Sequence, residues 1–523
     1  MASITDALNT GYGFSGPVVT LGGAIDGATV IREPKVAIPT AMMNRHGLIA
    51  GATGTGKTRT LQLLAEQLSA QGVPAFVADI KGDVSGLAVP GAASPAVDER
   101  AKAIGAVWEP KGYPVEFVSL TGKTGAQLRA TVSGFGPLLL SKVLGLNDTQ
   151  TSVLTLVFRI CDDHGLPLLD FADLRAVLRY LSSDAGKPLL AETGGMAPAT
   201  VGVLLRQIVE LESQGADRFF GEPEFDVRDL LHVTPDGRGV ITALELSDAQ
   251  DKPALFSTFM MWLLAELYHT LPEVGDLPKP KLVFFLDEAH LLFRDASKAF
   301  LDHVEQVVRL VRSKGVGVFF ITQTPKDLPD AILGQLGNRV QHALRAHTPD
   351  DEKDLRATVR TYPKTDLYDL AQTLTSLGIG EAIVTGLNPK GVPTPVIATR
   401  LLPPTSRMGP LTSEEFQKEF AESDLVREYG TPLNRESASE MLASRLERTT
   451  PPAAQPGAPL PLPDATPPAP KGRAGKTIGQ VAAGALIGAL TGTVARTIGR
   501  ELVRGVFGML GRKPSRNTTR SRW

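Results

Sequence analysis

Along this chain, short runs of continuous apolar residues alternate with longer segments in which apolar residues return every three or four positions. The runs at Gly47–Ala50, Pro74–Ile80, Val115–Leu120, Gly239–Leu246, Lys281–Leu286 and Val316–Ile321 predict buried strands; Val340–Ala346 and short stretches between Ile383 and Leu402 extend the set. Helical spacing runs from Leu61 to Leu68, from Val153 to Ile160 after the start signal Asn147-Asp148-Thr149, and over Asp170–Leu181, Val201–Glu212, Ala254–Tyr268 and Ala299–Ser313. Strands alternating with helices imply an α/β fold, a mostly parallel sheet covered on both faces, whose ligands gather at the carboxyl ends of the strands.

The same pattern divides the chain. Residues 1–45, rich in Gly, Ala and Val, read as a short β leader. Residues 46–124 and 236–410 carry the strand and helix alternation in two parts, and 125–235 is a helical insertion between them. Residues 411–448 are charged and helix-forming, and 449–470 form a linker of Pro and Ala that cannot bury a core. The end, 471–523, holds a helix-forming stretch without charge, Thr477–Ala495, with Gly484, Gly488 and Gly492 striped every four residues and a basic tail behind it. That stretch is long enough to span a bilayer. Its Ala and Gly content, its threonines and Gln480 favour a helix that packs on itself, on the body or on a membrane surface.

Composition adds little until charge is split by position. The 523 residues carry a formal −2, with 42% hydrophobic and 21% charged residues, as expected of a globular protein of several folded units. From Lys471 onward, however, eleven basic residues stand against the single acid Glu501, so the tail holds +10 and the rest −12. The tail, more than the body, is therefore the part suited to an anionic partner such as nucleic acid or lipid. One cysteine, Cys161, excludes an internal disulfide, and the first residues lack the basic and apolar regions of a signal peptide, which predicts a cytoplasmic protein.

The candidate chemistry sits at strand ends. Gly51-Ala52-Thr53-Gly54-Thr55-Gly56-Lys57-Thr58 follows an apolar strand and opens a helix, the context a phosphate loop requires. Glycines there let successive N–H groups turn toward a β-phosphate at a positive helix end; Lys57 would reach the β- and γ-phosphates of ATP, and the Thr58 hydroxyl would sit on Mg²⁺. Two other GKT triplets, at 122–124 and 475–477, lack the upstream glycine. The second acidic signal is Asp287-Glu288 after the strand Lys281–Leu286: Asp287 can hold Mg²⁺, and Glu288 can polarise a water for in-line attack. His290 follows closely. Gln323, at the end of the next strand, is placed to sense a γ-phosphate or the attacking water. Positive charge for the transition state has four candidates, Arg309, Arg312, Arg339 and Arg345, any of which could act from a neighbouring subunit.

Longer stretches resemble the HerA-like ATPase family, most of all its bacterial branch. These are Trp262–Leu267, Leu271–Asp276 and Lys279–Val283 leading into Asp287–Phe293, then Val307–Val318 and Gly334–Ala346. The resemblance covers about residues 10–410. It implies a RecA-like P-loop ATPase of the HerA and FtsK class, commonly a hexameric ring with sites between subunits and a pore that moves on double-stranded DNA. By motif position it implies Lys57 and Thr58 on phosphate and magnesium, Asp287 on the metal, Glu288 as base and Gln323 as sensor. Of the four arginines that could supply transition-state charge, Arg312 and Arg345 are taken as the catalytic candidates. Archaeal members carry a larger N-terminal β-barrel that docks a nuclease; the short leader here assigns no nuclease partner. A rival reading is an ATP-driven assembly or membrane-associated scaffold whose working part is the C-terminal helix. No base-reading motif stands out, so contact with DNA would be largely independent of sequence.

Overall fold

The computed structural model describes residues 3–191, 194–247, 249–250, 252–293, 298–346 and 348–449. The predicted linker beyond residue 449 and the glycine-striped helix with its basic tail lie outside the described residues. One compact unit spans Met1–Ser439, and a second begins at Glu440, its described part being the end of the helix Ala438–Thr449.

Among the described residues, the first unit is built on one sheet of twelve strands. In chain order these are β1 (Val18–Asp26), β2 (Thr29–Pro39), β3 (Gly47–Ala50), β4 (Ala75–Asp79), β5 (Val115–Ser119), β6 (Ala126–Gln127), β7 (Ile241–Glu245), β8 (Leu282–Leu286), β9 (Val316–Thr322), β10 (Asn338–His342), β11 (Glu381–Thr385) and β12 (Ile397–Leu401). Across the sheet the order is β2-β1-β12-β11-β10-β3-β9-β8-β4-β7-β5-β6. Pairing from β10 through β6 is parallel, and the four strands on the other flank are antiparallel.

Every residue of β3, β4, β7, β8 and β9 is buried, as expected of parallel strands covered on both faces. Alternation along β8 shows the two layers. Phe284 packs on Phe76, ring centroids 4.9 Å apart, toward the apolar helix Pro253–Thr270, whose Phe259 also stacks on Phe76. Phe285 points the other way, onto Phe319, in the cluster that holds Leu61, Leu64 and Leu68 of the helix Lys57–Ala70. Burying one such aromatic contributes on the order of 2–3 kcal/mol, so this double layer is what fixes the sheet beneath the site.

Between β6 and β7 the described residues form six α-helices: Val132–Phe135, Pro137–Val143, Asp148–Asp163, Phe171–Ser182, Lys187–Ala191 and Pro198–Ser213. Two start at capping boxes, Asn147 with Gln150 and Asp170 with Asp173, each satisfying amides the first turn leaves unpaired. Cys161 is buried in the first of these two helices, Asp148–Asp163, its thiol pushed up to about 12 by burial.

The leader differs from its sequence pattern in one respect: it opens with the helix Ile4–Gly11, held by a Ser3–Asp6 capping box. Its strands join the main sheet, β1 lying antiparallel to both β2 and β12. β10 starts and ends earlier than the apolar run suggested, because the carbonyl of Ala343 turns to accept the Ala52 N–H at 2.9 Å. Arg345 consequently stands beyond the strand rather than in it.

Candidate functional site

Because β10, β3, β9, β8 and β4 run parallel, their carboxyl ends emerge along one edge. Gly51 follows β3, Gln323 follows β9, Asp287 follows β8, and Asp79 closes β4. Residues far apart in sequence are thus delivered to one cleft, and no loop had to find it.

The phosphate loop turns out of β3 and enters the helix Lys57–Ala70 through Gly56, at φ 113°, a left-handed cap that suits glycine. Its position is set from below. A Cβ on Gly51 would lie 2.5 Å from His342 Cβ, so the loop rests directly on β10. His342 is wholly buried, its Nε2 is 2.9 Å from Thr60 Oγ1, and burial drives its ring down to about 4, leaving it neutral. On the flank, Thr55 accepts the Gly380 N–H at 3.0 Å, and Arg100 holds the carbonyls of Gly380 and Ile379 at 3.0 and 2.9 Å. Lys57 Nζ donates to the Gly51 and Ala52 carbonyls at 2.7 and 3.2 Å; burial lowers its affinity for protons, while Glu288 and Asp287 partly restore it. Within the loop Ala52 and Gly56 are half-buried, Thr53 and Gly54 exposed, and Thr58 half-buried at the first turn of the helix.

Asp287 is 2% exposed. Its Oδ1 accepts the Glu288 N–H at 2.9 Å, whereas Oδ2 is buried with no donor of the described chain against it. Burial, then the charge of Glu288, push its carboxyl up to about 7. Glu288 holds φ 46°, a left-handed conformation that costs a side-chain-bearing residue on the order of 1–2 kcal/mol. The next N–H, of Ala289, donates to Ile321 on β9 at 2.8 Å and locks the turn. Glu288 Oε1 pairs with Lys81 Nζ; Oε2 lies 3.3 Å from His290 Nδ1 without hydrogen-bond alignment. His290 therefore does reach the acid.

Gln323 is exposed, and its carbonyl accepts the Gly51 N–H at 3.1 Å. Asp327 pins the turn that carries it, taking Thr322 Oγ1 at 2.7 Å and Thr324 N–H at 2.8 Å. The arginines separate. Arg345 is exposed at the loop's edge of the sheet and makes a long 3.4 Å contact to the Thr375 carbonyl. Arg312 precedes β9 and so lies at the opposite edge, where burial, and then Arg45, disfavour its charge. Arg339 is committed to the carbonyls of Leu336, Thr361 and Leu333, and Arg309 to Glu305.

Asp79, Lys81 and Asp83, to which the sequence analysis gives no role, also belong here. Asp79, fully buried, accepts the N–H groups of Lys81 (3.1 Å), Gly82 (2.8 Å) and Val84 (2.8 Å), which folds the turn back over β8. That brings carboxylate oxygens of Asp79, Asp83 and Asp287 within 4.8 Å of one another, and Asp83 Oδ1 is buried without a hydrogen bond among the described residues. The available signal was position alone: two acids and a lysine directly after an all-apolar strand. A set of hard carboxylate oxygens with unsatisfied buried acceptors suits Mg²⁺, so the residues present fit that ion.

Over 361 residues, 69% of this chain and 65% of the relative, the sequence is 21% identical to the DNA double-strand break repair helicase HerA of Saccharolobus solfataricus. It is 30% identical over 156 residues, 28% of each chain, to the probable helicase MJECL08 of Methanocaldococcus jannaschii. The matches therefore span less than two thirds of those relatives' length. Among solved structures, the bacterial conjugative coupling protein TrwBdeltaN70 aligns at a TM-score of 0.48 and 15% identity, over 75% of this chain and 96% of that one. With the family's sequence profile matched across residues 28–515, the chain belongs to the helicase HerA-like C-terminal family.

Proposed function

We propose that the chain is a Mg²⁺-dependent ATP hydrolase of the HerA and FtsK type, working as a homo-oligomeric ring, most simply a hexamer, that moves on double-stranded DNA. The observation that carries this is the meeting, on one sheet edge, of a phosphate loop and a buried Asp-Glu pair. The amides of 51–58 and Lys57 would cradle the β- and γ-phosphates, and Thr58 with Asp287 would hold Mg²⁺, with Asp83 and Asp79 close behind. Bound there, the ion supplies neutralisation of charge on the phosphate oxygens. Glu288 would accept the proton of the attacking water at Oε2, which has no aligned donor among the described residues, and Gln323 would sense the γ-phosphate. Arg345 suits a role at its own subunit's loop, and Arg312, at the far edge, suits only a neighbour's. DNA as the track is supported by the helicase names of the relatives. Among the described residues no helix is long and apolar enough to cross a membrane.

The test is the steady-state ATPase rate with and without long double-stranded DNA across a salt series, with Glu288→Gln as control. Turnover should rise on DNA, the rise should fade with salt, and Glu288→Gln should lose about 10²-fold or more while still binding nucleotide. Glu288-dependent turnover indifferent to DNA would overturn the motor reading and leave the assembly or scaffold ATPase in its place.

A further inference from the structure

We propose that Lys81 is a positioning residue for the hydrolytic step, holding Glu288 by Oε1 so that Oε2 faces the attacking water. The inference rests on the ATPase reading above.

Three constraints meet at Glu288. Its backbone is fixed on both sides, by its own N–H on Asp287 Oδ1 at 2.9 Å and by the following N–H on the Ile321 carbonyl at 2.8 Å. With φ already in the left-handed region, what remains free is the side chain. Lys81 removes that freedom: its ammonium pairs with Oε1. The exposures of the partners are unequal, 48% for the Lys81 side chain and 9% for Glu288. An isolated carboxylate so buried would be costly to keep charged, and the lysine, reaching in from solvent, supplies both the counter-charge and a direction. A carboxylate bound at one oxygen presents the other at a defined angle, and that second oxygen, 3.3 Å from His290 Nδ1 but out of hydrogen-bond alignment with it, has no aligned donor among the described residues.

Lys81 is itself mounted for this. Asp79 takes three successive turn amides, and Gly82 at φ 73° allows the reversal that brings position 81 across the end of β8. Its role is distinct from that of Lys57, whose ammonium is directed at the loop carbonyls of Gly51 and Ala52. Lys57 therefore serves the phosphate side of the cleft and Lys81 the water side. Holding a reacting group in its productive geometry is worth an order of magnitude or more in rate, without any contribution to ground-state binding.

The experiment measures kcat and KM for ATP, together with the Kd of a fluorescent ATP analogue, for full-length Lys81→Met, Lys81→Arg and Lys81→Gln, each alone and combined with Glu288→Gln. Residual rates are followed with radiolabelled ATP. Lys81→Met and Lys81→Gln should lower kcat about tenfold or more while the analogue's Kd stays within about twofold, and Lys81→Arg, which keeps the charge, should recover part of the rate. In the Glu288→Gln background the lysine changes should cost nothing further, because the group they position is gone. A weakened Kd would make Lys81 a phosphate ligand. A full further loss in the double variants would make it independent of Glu288, and a faster basal rate would make it a restraint. Each of these overturns the proposal while leaving Glu288-dependent hydrolysis in place. If wild-type turnover itself did not depend on Glu288, the ATPase reading would fall first and this inference with it.

Discussion

Replacing Asp79 with alanine separates the architecture of the cleft from its chemistry. The side chain accepts three backbone amides, at 3.1, 2.8 and 2.8 Å, and is fully buried. Hydrogen bonds to a charged partner are worth about 1.5–3 kcal/mol each, so the gross loss is on the order of 5 kcal/mol or more. Part of it returns, because burial, and then the neighbouring Asp83, push the Asp79 carboxyl above the usual range, and its removal relieves that cost. The net expectation is on the order of 3 kcal/mol, spent locally, since β4 keeps its ladders to β7 and β8. That corresponds to about a hundredfold loss of protection for the amides of Lys81, Gly82 and Val84 in hydrogen exchange, with a smaller shift in the global denaturation midpoint. Asp79→Asn refines the test. Its single carbonyl oxygen can still serve Lys81 and Gly82, but its NH₂ would face the Val84 N–H, so Val84 should lose protection first. Unchanged exchange at all three amides in Asp79→Ala would refute the idea that this carboxylate builds the turn.

Two further outcomes follow from burial. His46 and His342 are driven down to about 4 by burial, and His46 Nδ1 accepts the Val318 N–H at 3.0 Å, which requires the neutral ring. The unfolded chain takes up these protons near pH 6.5. It therefore binds more protons than the folded chain between about pH 6.5 and 4, and stability present above that window is lost as the pH falls through it, by up to about 3 kcal/mol per ring. Denaturation midpoints taken across that range should fall, and a flat profile would contradict neutral buried rings. Gly51→Ala would drive a methyl to 2.5 Å from His342 Cβ and 3.0 Å from Thr55 Oγ1. The resulting shift of the loop should cost about 1–3 kcal/mol and weaken binding of a fluorescent ATP analogue roughly tenfold or more, and retained affinity would show that the loop does not rest on β10 as described.

What the chain determined by itself was whatever its local chemistry states. Gly56-Lys57-Thr58 after an apolar strand could be read because strand, loop and helix are contiguous, and the run Leu282–Leu286 announced a buried strand because parallel strands are apolar on both faces. Asn147 and Asp170 marked helix starts for the same reason: a capping residue lies within three positions of the amide it satisfies. The opening helix Ile4–Gly11 and the true end of β10 escaped such reading. Lys81, Asp83, His342 and Asp327 escaped it too, since a lysine or an aspartate in a turn has the same local appearance whether it faces water or a buried glutamate. Lys81 and Glu288 stand 207 positions apart, and only strand order brings them together, with β4 laid beside β8 in parallel register. Tertiary structure also separated the arginines, committing Arg339 to three carbonyls and setting Arg312 at the edge opposite Arg345. Covalent neighbours set which element forms, but electrostatic partners are chosen by packing. That is why the phosphate loop was legible from the chain alone and the lysine that orients the acid was not.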